Sequence, residues 1–182
     1  MLMPMRVIAG KYRHRHLSYP ENDPAIRPTK DRIREAFFSS LGDIEGKVFL
    51  DLCAGSGSMG IEAISRGASF SYFVDNNQKS LSYVKDNLKN LGITNGAIIF
   101  EDYLEALEHF KEQGVHFDII YFDPPYELGK YEEALSYIYN NEILNKGAIL
   151  AFESNREVKD NPLWYNKKKE YHYGEITVTV LR

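Results

Sequence analysis

The segment Asp51-Leu52-Cys53-Ala54-Gly55-Ser56-Gly57-Ser58-Met59-Gly60 decides the fold. It follows the apolar run Val48 to Leu52 and precedes a stretch of helical periodicity, so it predicts a tight turn from a strand into a helix. The three glycines permit the turn, let a ligand approach the backbone and allow the helix to pack closely on the strand. This spacing is formally that of a nicotinamide-dinucleotide loop, and it also suits a turn that binds no ligand.

Beyond this loop, apolar runs of strand length alternate with stretches of helical periodicity. Such alternation predicts an α/β fold with a mostly parallel, doubly wound sheet. The predicted strands are Val48 to Leu52, Tyr72 to Asp75, Ala97 to Phe100, Ile119 to Asp123 and Ala148 to Glu153. The predicted helices are Met59 to Arg66, Gln78 to Leu91, Tyr103 to Glu112 and Tyr131 to Asn140. After them, Trp164 to His172 and Glu175 to Leu181 predict a hairpin that adds an antiparallel strand.

The N-terminal part of the chain follows a different pattern. Arg6 to Ala9 and Arg15 to Tyr19 predict a small β-hairpin, and Thr29 to Leu41 predicts a helix that Thr29 caps. We therefore expect a basic N-terminal arm over residues 1–28 and a single domain over residues 29–182.

Three acidic residues, Asp51, Asp75 and Asp102, stand at the ends of successive predicted strands or directly after them. The carboxyl ends of parallel strands meet at one edge of a sheet, so these carboxylates should gather near the glycine loop. Asp51 would repel the pyrophosphate of a dinucleotide, whereas it suits S-adenosylmethionine, which carries an ammonium and a sulfonium group. Asp75 is placed to bind ribose hydroxyls. Asp102 is placed either to meet the adenine amino group or to cap the next helix.

A second motif, Asp123-Pro124-Pro125-Tyr126, follows the most apolar predicted strand. The Asp123 carboxylate and the Pro124 carbonyl can accept the two N–H bonds of a base amino group, which turns the nitrogen lone pair toward a methyl donor. The prolines hold these acceptors rigidly because each fixes its own φ. Tyr126 can stack on the base, an interaction worth about 1 to 3 kcal/mol. The motif predicts methyl transfer to an amino nitrogen; the alternative is a rigid turn at a strand end.

Composition limits the class of protein. The 182 residues are 43% hydrophobic and 26% charged, which is typical of one globular domain. The longest apolar runs are too short for a membrane helix, and Met1 to Arg6 lacks the hydrophobic stretch of a signal peptide, so we expect a soluble, unprocessed protein. Cys53 is the only cysteine, which fits a reducing cytoplasm. The five histidines show no metal-ligand spacing, so we expect no metal.

The net charge of −4 conceals an uneven distribution. Residues 1–34 hold eight cations and three acids, which gives +5, and the other 14 cations and 23 acids give −9. The eight cations are Arg6, Lys11, Arg13, Arg15, Arg27, Lys30, Arg32 and Arg34. A basic segment joined to an acidic body indicates contact with a polyanion such as a nucleic acid, or else a solvated charged surface.

With both motifs in place, the sequence resembles the class I S-adenosylmethionine-dependent methyltransferases, and among them the RsmD-type 16S rRNA guanine-N2 methyltransferases of bacteria. The matching pieces are Arg6-Val7-Ile8-Ala9-Gly10, Arg27-Pro28-Thr29-Lys30-Asp31-Arg32-Ile33-Arg34-Glu35, Leu50 to Gly57, Phe122 to Tyr126 and Glu153-Ser154. The resemblance implies a seven-stranded Rossmann-like sheet with an N-terminal hairpin. It also implies methylation of the N2 amino group of guanine 966 in the 16S rRNA of the 30S particle.

The resemblance also assigns roles by position. The cofactor positions are Asp51, Cys53, Ala54, Gly55, Gly57, Asp75, Asn76, Asp102 and Tyr103, and the catalytic positions are Asp123, Pro124, Pro125 and Tyr126. Asn77 departs from the pattern, since members often have Asp there. The expected RNA contacts are Arg6, Lys11, Arg13, Arg15, Arg27, Thr29 and Arg32. No membrane and no obligate protein partner are expected.

Several alternatives stay open. A DNA adenine-N6 methyltransferase uses the same tetrapeptide, although this sequence shows no separate DNA-reading domain. A protein-glutamine methyltransferase more usually carries Asn where Asp123 stands. A catalytically inactive rRNA assembly factor should have lost the motifs, yet both are intact. A dehydrogenase leaves the second motif unexplained.

Overall fold

The computed structural model describes residues 5–20, 31–125 and 129–182. Helices and strands alternate along these residues. The helices are α1 (Asp31–Leu41), α2 (Ser58–Ser65), α3 (Gln78–Leu91), α4 (Tyr103–Glu112) and α5 (Lys130–Asn140). The strands are β1 (Val48–Leu52), β2 (Phe70–Asp75), β3 (Gly96–Phe100), β4 (Phe117–Phe122), β5 (Leu144–Ser154), β6 (Lys168–Tyr173) and β7 (Ile176–Leu181).

The described strands form one seven-stranded sheet in the order β3-β2-β1-β4-β5-β7-β6. The first five strands of this order pair in parallel, and β7 lies antiparallel between β5 and β6. The chain order reverses between the neighbours β1 and β4, which is the point where open α/β sheets bind ligands. The predicted fold class is therefore confirmed, including the antiparallel hairpin at the C-terminal end.

Helices cover both faces of the sheet, because side chains alternate along each central strand. In β1, Phe49 packs toward α1 and Leu50 packs toward α4 and α5. The same alternation places Tyr121 of β4 on the α1 face and Phe122 on the opposite face. Burial on both faces explains the almost continuous apolar sequence of these strands.

Residues 5–20 form a minimal hairpin that is packed on the domain. One antiparallel bridge joins Arg6 to His16, and backbone hydrogen bonds of 2.9 Å flank it. Met5, Val7 and Leu17 are buried with apolar residues of α2 and α3. The predicted pairing is thus reduced to one bridge. The proposed boundary after residue 28 and the Thr29 cap lie outside the described residues.

The first strand of the predicted C-terminal hairpin is wrong over its first four residues. Pro162–Trp164 form a 3-10 turn that Asn161 caps by accepting a hydrogen bond from Leu163 N at 3.0 Å. The Trp164 ring stacks on Tyr139, with ring centroids 5.1 Å apart. Aromatic packing and the proline turn therefore delay the strand to Lys168.

Candidate cofactor and substrate site

The glycine loop joins the end of β1 to the start of α2. Gly55 and Gly57 have positive φ values of 55° and 80°, and Cys53 shares this conformation at 68°. A side chain at Gly60 would be blocked, because its Cβ would lie 2.4 Å from an atom of the Phe73 ring. The glycines therefore serve the turn and the close helix packing that the sequence indicates.

Asp51 supports this loop from beneath. Its side chain is 2% exposed and accepts a hydrogen bond from Gly60 N at 2.9 Å. Burial raises the pKa of Asp51 to about 8, although the Gly60 hydrogen bond opposes this shift. The carboxyl group is thus placed where a nearby cationic ligand would favour its charged form.

A cleft opens above the carboxyl ends of the central strands. The cleft is partly open to solvent. It is lined by Cys53, Val74, Asp75, Asn76, Glu101, Asp102, Tyr103, Pro125 and Lys130. Five predicted cofactor residues and one predicted catalytic residue thus meet in one cleft.

Asp75 connects the end of β2 to the glycine loop. One carboxylate oxygen accepts a hydrogen bond from Gly55 N and the other accepts one from Asn77 N, both at 2.8 Å. Burial raises the pKa of Asp75, and these backbone hydrogen bonds oppose the rise. Asn77 has a structural role, since its side chain caps α3 by accepting bonds from Lys79 N and Ser80 N.

Asp102 and Tyr103 form the wall of the cleft at the start of α4. The Asp102 carboxylate accepts a hydrogen bond from Leu104 N at 3.2 Å, so it caps α4, which is the alternative that the sequence left open beside a role in cofactor binding. The Tyr103 hydroxyl donates to Glu133 at 2.8 Å, which fastens α4 to α5. The Lys130 ammonium lies 5.7 Å from the centroid of the Tyr103 ring.

The second motif begins directly after β4. Asp123 N donates a hydrogen bond to Leu52 O at 3.3 Å, which places this backbone beside the end of β1. Pro124 is buried and Pro125 is exposed. Burial raises the pKa of the Cys53 thiol, and the nearby charges of Asp75 and Asp123 raise it further. Tyr126 lies outside the described residues, so its stacking role stays a prediction.

Two further residues stand beside this motif. The buried Tyr121 hydroxyl donates a hydrogen bond to Glu153 at 2.7 Å. Burial raises the pKa of Tyr121, and the charges of Glu153 and Asp123 add to this effect. The sequence singled out Glu153 only as part of a matching dipeptide. Its pairing with Tyr121 depends on strand order, which the residue pattern does not show.

The cleft also contains residues that the sequence reasoning missed. Glu101 and Lys130 both line it. Glu101 directly precedes Asp102, and Lys130 begins the helix that follows the second motif. The only sequence signal for Glu101 was its position next to a strand end. For Lys130 it was the position at a helix start after the motif.

Most of the predicted RNA contacts are exposed. Arg6 lies 3.7 Å from the Asp31 carboxylate, and Arg15 donates to Asn90 O at 3.3 Å. The exposed predicted residues are Arg6, Lys11, Arg13, Arg15 and Arg32. Arg27 and Thr29 belong to the part of the chain that the structure does not describe.

One cation of the basic segment is removed from the surface. Arg34 is fully buried, donates hydrogen bonds to Arg6 O and Asp31, and lies 3.6 Å from Glu62. Burial lowers the pKa of Arg34, while Glu62 and Asp31 oppose this shift. Arg34 therefore holds the N-terminal hairpin in place and does not offer its charge to RNA phosphates.

Glu62 is the centre of this docking contact. Its buried carboxylate accepts hydrogen bonds from Ile8 N at 2.9 Å and Ala9 N at 3.0 Å, and from Arg66 at 2.8 Å. Sequence reasoning did not identify it. Its signal is an acidic residue within an otherwise apolar helical stretch.

Comparison with known proteins places the chain in a family. The family model described as "Conserved hypothetical protein 95" matches residues 5–182. Ribosomal RNA small subunit methyltransferase D of Buchnera aphidicola is 35% identical over 167 residues, covering 89% of this chain and 86% of the relative. The chain belongs to the small subunit rRNA methyltransferase D family. The Escherichia coli member with this name is 32% identical over 154 residues, covering 84% and 76% of the two chains.

Solved structures agree with this family's fold. The Escherichia coli protein yhhF is 28% identical, with a TM-score of 0.87 and coverage of 98% of this chain and 97% of its own. A more distant structure, SMU.776 in complex with S-adenosylhomocysteine, has a TM-score of 0.63 at 15% identity and shares the fold alone. This chain covers 48% of SMU.776.

The described ranges lack two kinds of feature. Within residues 5–20, 31–125 and 129–182, no helix combines the length and the apolar character that crossing a membrane requires. The same residues contain no cluster of three or more His, Cys, Asp or Glu side chains suited to a metal ion.

Proposed function

We propose that this protein transfers a methyl group from S-adenosylmethionine to the N2 amino group of guanine 966 in 16S rRNA. Family membership supports an rRNA methyltransferase. One observation carries the proposal: a single cleft brings Asp75 and Asp102 together with Pro125 of the second motif. Pro125 directly follows the two expected amino-group acceptors, Asp123 and Pro124, which supports a substrate site next to the residues suited to a cofactor.

The residues of the cleft fit the proposed cofactor. Cys53 lines the cleft, and Gly55, two residues further along the same left-handed turn, has no side chain to obstruct a ligand. In this proposal Asp75 would accept hydrogen bonds from the ribose hydroxyls, and Asp102 and Tyr103 would contact the adenine end. When bound, S-adenosylmethionine would supply a methyl group whose bond to the sulfonium sulfur breaks readily, because the neutral thioether of S-adenosylhomocysteine is an excellent leaving group. The bound S-adenosylhomocysteine of SMU.776 is consistent with this use of the fold.

The chain's own contribution is mainly alignment. Asp123 and the Pro124 carbonyl would accept the two N–H bonds of the guanine amino group, which directs its lone pair toward the methyl carbon. Such positioning can lower a barrier by about 7 to 11 kcal/mol. The nitrogen loses one proton when the N–C bond forms, and the Asp123 carboxylate is placed to receive it.

The exposed N-terminal cations would hold the RNA. Arg13 and Arg15 lie on a turn that Glu62 fixes to the domain through Ile8 and Ala9. Phosphate contacts position RNA without reading its sequence. They would offset the cost of unstacking the target base, which is a few kcal/mol. We infer that the substrate is the rRNA of the 30S particle and that the protein acts in the cytoplasm without an obligate protein partner.

The decisive experiment is methyl transfer with labelled S-adenosylmethionine. The purified protein is incubated with 30S particles, naked 16S rRNA, duplex DNA and total cell protein, and the products are identified by mass spectrometry. We expect N2-methylguanosine at position 966. Methylation of DNA or protein alone, or no transfer to RNA, would overturn the proposal.

Two substitutions test the mechanism, one directly after β4 and one within it. Asp123→Ala should lower turnover by about 10²- to 10³-fold, the usual effect of losing one group that stabilises a transition state. Binding of S-adenosylhomocysteine should stay nearly unchanged. The control is Asp118→Ala at the opposite end of β4, where the carboxylate accepts bonds from Val48 N and Asn145. Equal loss in both variants would indicate a structural role for Asp123.

A further inference from the structure

Asn87 on α3 joins the N-terminal hairpin to the glycine loop. Its side chain lies on the buried face of the helix and is 1% exposed. The amide bonds twice to one hairpin residue, because Oδ1 accepts a hydrogen bond from Ser18 N at 2.7 Å and Nδ2 donates one to Ser18 O at 2.9 Å. Nδ2 also donates to Ser56 O of the glycine loop at 3.2 Å. One buried side chain therefore holds both segments.

The hairpin also contacts the glycine loop directly. The buried Ser56 hydroxyl donates a hydrogen bond to the Met5 sulfur at 3.6 Å. Met5 is itself held by the second half of the hairpin, since its carbonyl accepts a hydrogen bond from Leu17 N at 2.9 Å. Both halves of the hairpin thus reach Ser56, one through Met5 and the other through Asn87.

Ser56 lies within the part of the loop that approaches the cofactor cleft. It stands between Gly55 and Gly57, which both have positive φ values. Gly55 N donates a hydrogen bond to the carboxylate of Asp75 at 2.8 Å, and Asp75 lines the cleft. Glycine backbone adopts many conformations at low cost, so contacts to Ser56 help to keep the loop in this one.

The other end of this connection is a proposed RNA contact. Arg15 precedes Ser18 by three residues and donates to Asn90 O, three residues after Asn87 on α3. The second half of the hairpin therefore follows α3, and a phosphate bound at Arg15 would restrict the movement of Ser18.

We propose that Asn87 is a positioning residue that couples RNA binding on the hairpin to cofactor binding at the glycine loop. Each ligand restricts an element that the other also needs, so the second ligand meets a segment that is already ordered. Such coupling is reciprocal, because each ligand must change the affinity of the other by the same factor. This inference rests on the proposed function and specifies how its two binding sites communicate.

The test measures binding of labelled S-adenosylhomocysteine by equilibrium dialysis. The dissociation constant is determined for the protein alone and for the protein saturated with 30S particles from cells that lack this methylation. For the wild-type protein, the particles should lower the dissociation constant at least about fivefold, the lower end of typical coupling between sites. In Asn87→Ala this ratio should fall to about twofold or less, because Ser18 and Ser56 lose their common partner.

A second variant and a matched control complete the test. Asn87→Asp keeps the acceptor for Ser18 N but loses both donated bonds, so it should also lower the ratio, and it serves if Asn87→Ala fails to fold. The control is Asn95→Ala. The Asn95 side chain likewise donates to two backbone carbonyls, those of Ala68 and Ser69, at the end of β2 opposite the cleft. It should keep the wild-type ratio.

Two results would overturn the inference. One is a wild-type affinity for S-adenosylhomocysteine that the particles do not change. The other is a wild-type ratio in the folded Asn87 variants, even if their melting temperatures fall or their affinities weaken equally in both states, since that pattern indicates a merely structural residue. Failure of the wild-type protein to methylate RNA is a different result, and it would overturn the proposed function itself.

Discussion

Among individual side chains, Asp51, which bonds to the glycine loop, makes the stability of the folded protein depend on pH. Its pKa is raised to about 8 by burial, whereas an unfolded Asp titrates near 4. Folding therefore favours the protonated form. The contribution of Asp51 to the free energy of unfolding is complete below about pH 4 and is lost as the pH rises through about 8. We expect Asp51→Asn, which keeps an acceptor for Gly60 N, to gain stability relative to wild type as the pH rises from 5 to 8.

Urea unfolding of both proteins without ligand measures this difference in unfolding free energy. Asp118→Asn is the control, because its carboxylate lies at the opposite end of the sheet and bonds to Val48 N. A difference between Asp51→Asn and wild type that does not change between pH 5 and 8 would show that Asp51 is ionised throughout.

Among the helices, α2 has two tasks, since it begins at the glycine loop and holds the N-terminal hairpin through Glu62. Glu62→Gln would leave Arg34 buried without its full counter-charge and would weaken the bonds from Ile8 N and Ala9 N. Breaking a buried ion pair in this way should lower the unfolding free energy by about 3 kcal/mol. Urea unfolding measures the loss, and hydrogen exchange at Ile8 and Ala9 locates it.

The exposed Glu108→Gln on α4 is the matched control, and its effect should stay within about 0.5 kcal/mol. If Glu62→Gln is equally mild, or if exchange at the two amides is unchanged, the buried contact does not dock the hairpin.

The same elements show how much of the fold can be predicted from the sequence. The bounds of α3 and α4 were predicted correctly, because their apolar periodicity and their polar caps agree. The loop, Asp75 and Asp102 follow from the rule that parallel strands end at one edge. Contacts of Glu62 with Ile8, 54 residues apart, could not be predicted, since no local pattern encodes such a pairing. The predicted start of β6 at Trp164 was wrong, because Trp164 belongs to the Pro162–Trp164 turn and the strand begins at Lys168.

At the scale of the molecular surface, the net charge does not describe which cations are available to RNA. Arg34, one of the eight N-terminal cations, is buried, so the basic surface rests on exposed residues of the hairpin turn and α1. A second basic group, Lys167 to Lys169, lies at the far edge of the sheet near β6, where Lys168 is already paired with Asp160 at 2.8 Å. Edge strands often carry lysines that prevent pairing with other chains. The two basic groups can therefore be separated by experiment.

The double variant Arg13→Glu/Arg15→Glu should weaken rRNA binding and methylation, while Lys167→Glu/Lys169→Glu should leave both nearly unchanged. Each lost phosphate contact removes one source of counterion release, so the slope of log K against log salt should become shallower by about 0.7 to 0.9 per contact. Binding measured by fluorescence anisotropy at 50 to 300 mM salt provides this slope, and binding of S-adenosylhomocysteine confirms that both variants are folded. An unchanged slope in the arginine variant would show that the hairpin turn does not face phosphate. The same loss in both variants would instead indicate that RNA responds to net charge, because each changes the total by the same four units.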